Sequence, residues 1–246
     1  MLFMFRASGP YALWTPAWLR ADPLSEPVPT PSGLGGLLRA YHRKPEWAWE
    51  IDSYAILSPI RYETLARSAR KSAGEDPERM PQRRTVLVDV DYLICARVHV
   101  YAGALDPARG RVPSDYGPIL HKRLARGVPD RAPHGGQSEF TLDVRYLGPA
   151  QRGGAPALHD VCTELGVQPI ETTEDLGPML VDLLHDGGPV FQDERVQPIY
   201  RRLLLDHGLV EVPEEAYTEK RHLDEEAQIM YRARYGHQPK VSHAAL

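Results

Sequence analysis

PVPTPSGLGGLLRAYHRKP, residues 27–45, joins a helix start, a glycine-dense first turn and a basic exit in one short run. Thr30 can cap a helix and Pro31 suits its first position, while Leu34, Leu37, Leu38 and Tyr41 recur at helical spacing, so one face belongs to a core. Gly33, Gly35 and Gly36 keep the helix start bare of side chains, where backbone N–H groups could meet a phosphate. His42, Arg43 and Lys44 then cluster at the far end. The segment reads as an RNA-facing element.

Working outward, LFMFRA (2–7) reads as a first strand, and WAWEIDSYAIL (47–57) as a second. TVLVDVDYLICARVHVY (85–101) is a long third strand. In it Val86, Val88, Val90, Tyr92, Ile94, Ala96 and Val98 alternate to one face, with Asp89, Asp91, Arg97 and His99 on the other. One face is expected to pack and the other to meet solvent or ligand. DYGPILHKRLARG (115–127) predicts a short basic helix stopped by Gly127, and Phe140, Leu142, Val144 and Tyr146 alternate as a fourth strand. The order β-α-β-β-α-β is the ferredoxin-like or RRM-like plan, an α+β fold.

The net charge is −4 over 246 residues, which would argue against nucleic acid were the charge uniform. It is not. Arg61, Arg67, Arg70, Lys71, Arg79, Arg83 and Arg84 crowd the segment between the second and third strands, expected to project as a hairpin or arm over about 61–84. A second basic tract holds Arg109, Arg111, Lys122, Arg123, Arg126 and Arg131. The compensating acid sits mostly late, in EVPEEAYTE (211–219) and LDEEA (223–227). Such a chain can offer a cationic surface to a phosphate backbone while staying acidic overall, because binding depends on the local field.

The texture changes after Leu147, so residues 1–147 are expected to form the main domain, 148–213 a small β-rich module and 214–246 a charged tail. GPAQRGGAPAL (148–158) reads as a loop, EDLGPMLVDLLHDG (174–187) as a short strand or helix, and DERVQPIYRRLLLDHGLVEVP (193–213) as a helix-like basic stretch with a terminal strand. An outer helix could run through EEAQIMYRARYG (225–236).

Several function classes are disfavoured. No apolar run approaches the ~20 residues of a membrane span, and MLFMFRASGPY lacks the pattern of a signal peptide, so a cytoplasmic protein without membrane contact is expected. Cys95 and Cys162 have no metal-type spacing and read as buried thiols. Asp89 and Asp91 read as ion-pair partners rather than metal ligands. GLGG lacks the spacing of a dinucleotide fingerprint, and Ser8, Ser32 and Ser68 have no nucleophile-elbow context. Trp14, Trp18, Trp47 and Trp49 read as core rather than as a base-stacking platform. No metal or cofactor is expected.

Taken with SPIRYETLARSARK (58–71), QRRTVLVDVDYLICARV (82–98) and PIYRRLLLDHGLVEVP (198–213), the opening stretch resembles the CRISPR-associated RAMP subunits of the fifth Cas family. The likeness runs from about Leu2 to Pro213 and is greatest to the subtype I-C branch, with its Val-Pro-Thr-Pro turn, glycine-containing helix and Trp-Lys-Pro exit. It implies a subunit of a type I Cascade surveillance complex that caps the 5′ handle of crRNA. It also implies contact with the large and backbone subunits, and with target DNA only through the complex. Gly33, Gly35, Gly36, Tyr41, His42, Arg43, Lys44, Arg61, Arg67, Arg70, Lys71, Arg83, Arg84, Lys122, Arg123 and Arg126 are the expected RNA contacts.

The subtype I-C branch also cuts its own precursor RNA, using a tyrosine before Trp-Lys-Pro and a lysine-histidine pair at the second helix. This chain departs at all three positions. The tyrosine position falls on His42, with Arg43 in place of tryptophan, and the pair falls on Asp115 and Tyr116. Metal-free RNA cleavage needs a base for the 2′-hydroxyl, a cation for the phosphorane and an acid for the 5′-oxygen. His42 could serve as base, with Lys44, Lys122 or His121 in the other roles; Tyr116 stays a candidate by position. Handle capping is the function expected, with a metal-independent endoribonuclease that stays bound as the first alternative and a protein-only scaffold as the second.

Overall fold

Phe3, Phe5 and Ala7 point to one side of the first strand and Met4 to the other, and all four are buried, so this strand is covered on both faces from the outset. The structure is a computed structural model that describes residues 1–16, 24–41, 47–70, 79–100, 113–185, 196–218 and 221, with 67–70, 79–82, 113–115, 184, 185 and 196 described as backbone only. In chain order the elements are β1 (Leu2–Ala12), α1 (Pro31–Leu38), β2 (Trp47–Ile56), β3 (Tyr62–Arg70), β4 (Arg79–Val100), α2 (Pro113–Leu124), β5 (Asp143–Ala150), α3 (Gly154–Leu165), β6 (Glu174–His185), β7 (Val196–Leu205) and β8 (Leu209–Glu211). A 3-10 turn follows at Glu214–Tyr217. Among the described residues no helix is long and apolar enough to cross a membrane.

The fold is mixed α and β around an antiparallel sheet ordered β5-β1-β4-β2-β8, with β3 paired to β4. β4 serves two structures. Leu87 to Arg97 pair with β1 and Tyr92 to Val100 with β2, while Arg79 to Leu87 pair with β3 in a hairpin running from Arg70↔Arg79 to Tyr62↔Leu87. β3 has nine residues, a length of roughly 30 Å. The basic segment between the second and third expected strands is therefore strand for most of its described length.

α1 begins as its sequence requires: the Thr30 side chain accepts from Gly33 N at 3.0 Å, and Pro31 fills the first helical position. Leu34, Leu37 and Leu38 are buried among Trp14, Trp49, Ile51 and Tyr54, each aliphatic side chain contributing about 1.5–3 kcal/mol of burial. The same core takes Met179, Val181, Leu203, Leu205, Val210 and Tyr217, so side chains from both sides of Leu147 share one interior.

The structure corrects several expectations. The fourth strand begins at Asp143, with Phe140 and Leu142 buried in the approach to it. The loop expected over 148–158 is instead the end of β5 and the start of α3, which closes at Gly166 in a left-handed conformation, φ 64°. α3 lays Leu158 and Cys162 over Met4, Ala55, Leu93 and Cys95. The second face of the third expected strand is thus covered in its middle instead of open to solvent or ligand. Residues 174–185 are strand, and 196–205, read as helix-like, are the strand paired with them. The possible helix at 225–236 lies outside the described residues.

Candidate functional site

Two side-chain hydrogen bonds between distant parts of the chain end on β5. The Tyr41 hydroxyl donates to the Val144 carbonyl at 2.6 Å, and two residues along the strand the Tyr146 hydroxyl lies 2.7 Å from His121 Nδ1. Residues two apart on a strand share a face and are ~7 Å apart. β5 therefore brings the end of α1 and the last turn of α2 side by side, although they lie far apart in sequence.

The carbonyl end of α1 is tied down by groups in the last turn of α2 and just after it. Arg123 Nε donates to Tyr41 O at 3.2 Å, Asp130 N to Ala40 O at 2.7 Å, and Arg131 Nη2 to Gly36 O at 3.5 Å. Arg123 also pairs with Asp130. Cationic side chains at a helix C-terminus offset its partial negative charge and satisfy its free carbonyls. This clamp fixes the point from which residues 42–46 depart.

On the solvent side, His121, Lys122 and Arg126 are exposed. The His121 ring meets Tyr146 edge-on, centroids 5.6 Å apart. Tyr146 is half-buried, and burial pushes its hydroxyl up to about 12, so it stays neutral across the physiological range. Beneath it stand Phe5 at 5.5 Å and Phe3 at 6.2 Å, each in turn edge-on to Trp49. An imidazole beside exposed cations, on a rigid aromatic base, can exchange a proton next to a bound phosphate.

The sequence-derived candidates separate into groups. His121, Lys122, Arg123 and Arg126 are brought together here. His42, Arg43, Lys44 and Lys71 lie outside the described residues, and Arg67 and Arg70 are placed by backbone alone, on β3. Arg61 and Arg83 are exposed on the hairpin or at its base, Arg61 paired to Asp89 at 2.7 Å. Asp91 is held by Arg6, through contacts of 3.0 and 2.6 Å, so each of the two strand carboxylates has an arginine partner.

Others are structural. Tyr41, expected to touch RNA, is buried with its hydroxyl committed to Val144, and burial raises its pKa. Gly33 offers no amide to a phosphate, since Thr30 takes it, and a β carbon there would lie 2.8 Å from the Trp14 ring. Gly35 is buried over the Trp49 backbone, whereas Gly36 has open space where a β carbon would stand. Arg84 pairs with Glu139 and donates to Gln137 at 2.8 Å, tying β4 to the approach of β5. Tyr116 packs its ring against the main core.

Among the described residues, the centre of the sheet face that α3 covers provides no stacking platform. On the face that α3 covers, β1 presents Met4 and Arg6 and β4 presents Leu93 and Cys95, with no aromatic ring among these central positions. Burial pushes the Cys95 thiol up to about 12. Trp14, Trp47 and Trp49 are buried in the main core, as their core reading requires, and Trp18 lies outside the described residues. The functional residue absent from the sequence-derived candidates is Tyr146, which reads there only as a position of the alternating fourth strand; its signal is a hydroxyl at the end of an otherwise apolar alternation.

With this geometry in hand, the chain can be set beside known proteins. The Cas5d model, described as CRISPR-associated protein (Cas_Cas5), matches residues 3–194. The chain belongs to this family of CRISPR-associated proteins. It is 31% identical over 235 residues to a protein of Thermus thermophilus named CRISPR pre-crRNA endoribonuclease Cas5d, covering 88% of this chain and 93% of that one. A protein of the same name from Mannheimia succiniciproducens is 28% identical over 227 residues, covering 83% and 92%. In fold, it is similar to a crystal structure titled CRISPR-associated protein, with a TM-score of 0.62 at 18% identity over 88% of this chain and 93% of the other.

Proposed function

We propose that this chain binds the repeat of pre-crRNA, cuts it without a metal ion, and remains on the resulting 5′ handle as a subunit of a type I Cascade. The observation that carries the reading is the exposed His121 beside Lys122, held by Tyr146 on the strand that also receives the Tyr41 hydroxyl, Tyr41 being followed in sequence by His42, Arg43 and Lys44. Membership of the Cas5d family and the name borne by both relatives support it. The order β5-β1-β4-β2, every neighbour antiparallel, supports a ferredoxin-like RAMP body.

In the reaction the RNA 2′-oxygen bonds to the adjacent phosphorus as the bond from phosphorus to the 5′-oxygen breaks, leaving a 2′,3′-cyclic phosphate and a 5′-hydroxyl. The proton of the 2′-hydroxyl passes to a base, and an acid supplies one to the 5′-oxygen. His121 takes one of these roles and His42 is the candidate for the other, with Lys122 or Lys44 facing the phosphorane charge. The β3–β4 hairpin grips the handle by phosphate contacts. Within the complex the chain adjoins the large subunit and the terminal backbone subunit, and meets target DNA only through the assembly.

A second reading, capping without cleavage, is favoured by the replacement of the branch's tyrosine, tryptophan and lysine-histidine pair with His42, Arg43, Asp115 and Tyr116. Incubating the purified chain with its own labelled repeat RNA in excess EDTA, beside His121→Gln and His42→Ala variants, separates the two on a denaturing gel. A single cut that survives chelation and is lost in a variant is expected. Tightly bound but intact RNA would establish capping alone, and absence of RNA binding would leave a protein-only scaffold.

A further inference from the structure

We propose that Tyr146 is the positioning residue of His121: its phenol oxygen accepts a hydrogen bond from Nδ1–H, which assigns proton exchange to Nε2. The inference deepens the endoribonuclease reading and rests on it for its catalytic meaning. The ring nitrogen 2.7 Å from the phenol is occupied by that contact, so a proton can be taken up or given to RNA only at Nε2. For Nε2 to exchange a proton with RNA and be restored between turnovers, Nδ1 must carry hydrogen throughout. A hydroxyl oxygen can accept from the neutral ring and, more strongly, from the imidazolium. The same hydrogen bond therefore survives both protonation states.

Tyr146 has the rigidity that such a role demands. Its ring stands on Phe5 and Phe3, and these on Trp49, so the hydroxyl is fixed by the core and not by a loop. Burial keeps the phenol protonated at neutral pH, and a neutral acceptor orients imidazole without drawing a proton from it. α2 supplies His121 near its last turn, where a small rotation of the helix would otherwise carry the ring away.

The test uses the full chain with nitrogen-15-labelled histidine, the His121 signals being identified by their absence in His121→Gln. At a pH where the ring is neutral, long-range proton–nitrogen spectra should place its hydrogen on Nδ1, and Tyr146→Phe should return it to an exchanging mixture. With repeat RNA under single-turnover conditions, His121→Gln should slow cleavage by about 10²–10⁴-fold. Tyr146→Phe should slow it by a smaller factor, with affinity for the same RNA unchanged. A wild-type ring carrying its hydrogen on Nε2, or shifts indifferent to Tyr146→Phe, would overturn the proposal. If the wild type binds RNA without cutting it, the endoribonuclease reading fails alone and the nitrogen shifts still decide the positioning.

Discussion

The hydroxyl of Tyr41 is bonded to the carbonyl of Val144 across 103 residues of sequence, at 2.6 Å and in a buried position. That contact makes Tyr41 part of the joint between α1 and β5 and removes its hydroxyl from any surface that RNA could reach. Tyr41→Phe keeps the ring and deletes the donor. It should cost about 0.5–1.5 kcal/mol in urea unfolding while leaving the affinity for repeat RNA unaltered. A large loss of RNA binding at unchanged stability would return Tyr41 to the RNA-contact set.

Gly33 and Gly36 lie three residues apart on one short helix and should respond oppositely to alanine. At Gly33 a β carbon would approach two Trp14 ring carbons at 2.8 and 2.9 Å, and the ring is itself buried, so overpacking should cost about 1–3 kcal/mol. At Gly36 nothing stands within 4 Å, and exchanging glycine for alanine inside a helix should gain up to about 1 kcal/mol. Thermal melts of the two variants decide it. Equal destabilisation at both positions would mean that the glycines are needed for something other than room beside Trp14.

These two residues also mark what the sequence could and could not reveal. Thr30 and Pro31 announce the start of α1, and the aromatic and β-branched runs announce β1, β2 and β4, because those signals are local. α3 escaped because Gly153, Gly154 and Pro156 look like a turn, although Ala157, Leu158, Val161, Cys162 and Leu165 carry a helical period over the sheet. β7 passed for a helix because Ile199 and Leu203, both buried, are four apart, a spacing that puts residues on one side of a helix and equally of a strand. In the site, His121 was legible as a residue type, but Tyr146 becomes its partner only when β5 pairs with β1 and turns that hydroxyl toward α2.

Glu214 makes acid sensitivity predictable. Its carboxylate accepts from Arg97 at 2.7 Å and from Arg221 at 3.1 Å, and these contacts, Arg97 first, hold its pKa below the ordinary glutamate value. A group whose pKa is lowered on folding contributes stability above its unfolded value, and that contribution is lost as pH falls through the folded one. The window therefore opens below about pH 4.3. Glu214→Gln should flatten the fall in melting temperature there and lower the neutral value by a matching, small amount, since the carboxylate is largely exposed. The same slope in both proteins would place the acid-labile contact elsewhere.

The hairpin carries the prediction that most directly tests RNA retention. β3 pairs with β4 from Tyr62 to Arg70, placing Arg67 and Arg70 on its distal half, and Lys71 follows them in sequence. If these cations neutralise handle phosphates, each releases counterions, and the dependence of log affinity on log salt should weaken by roughly 0.7 per lost contact on single-stranded RNA. Replacing all three with alanine should then reduce the slope by about 2 and lower affinity most at low salt. Lys122→Ala, beside His121, should remove about one contact and, if its charge faces the reacting phosphate, slow cleavage as well. A triple variant with the parental slope would show that the handle lies off the hairpin, leaving the surface around the last turn of α2 to hold it.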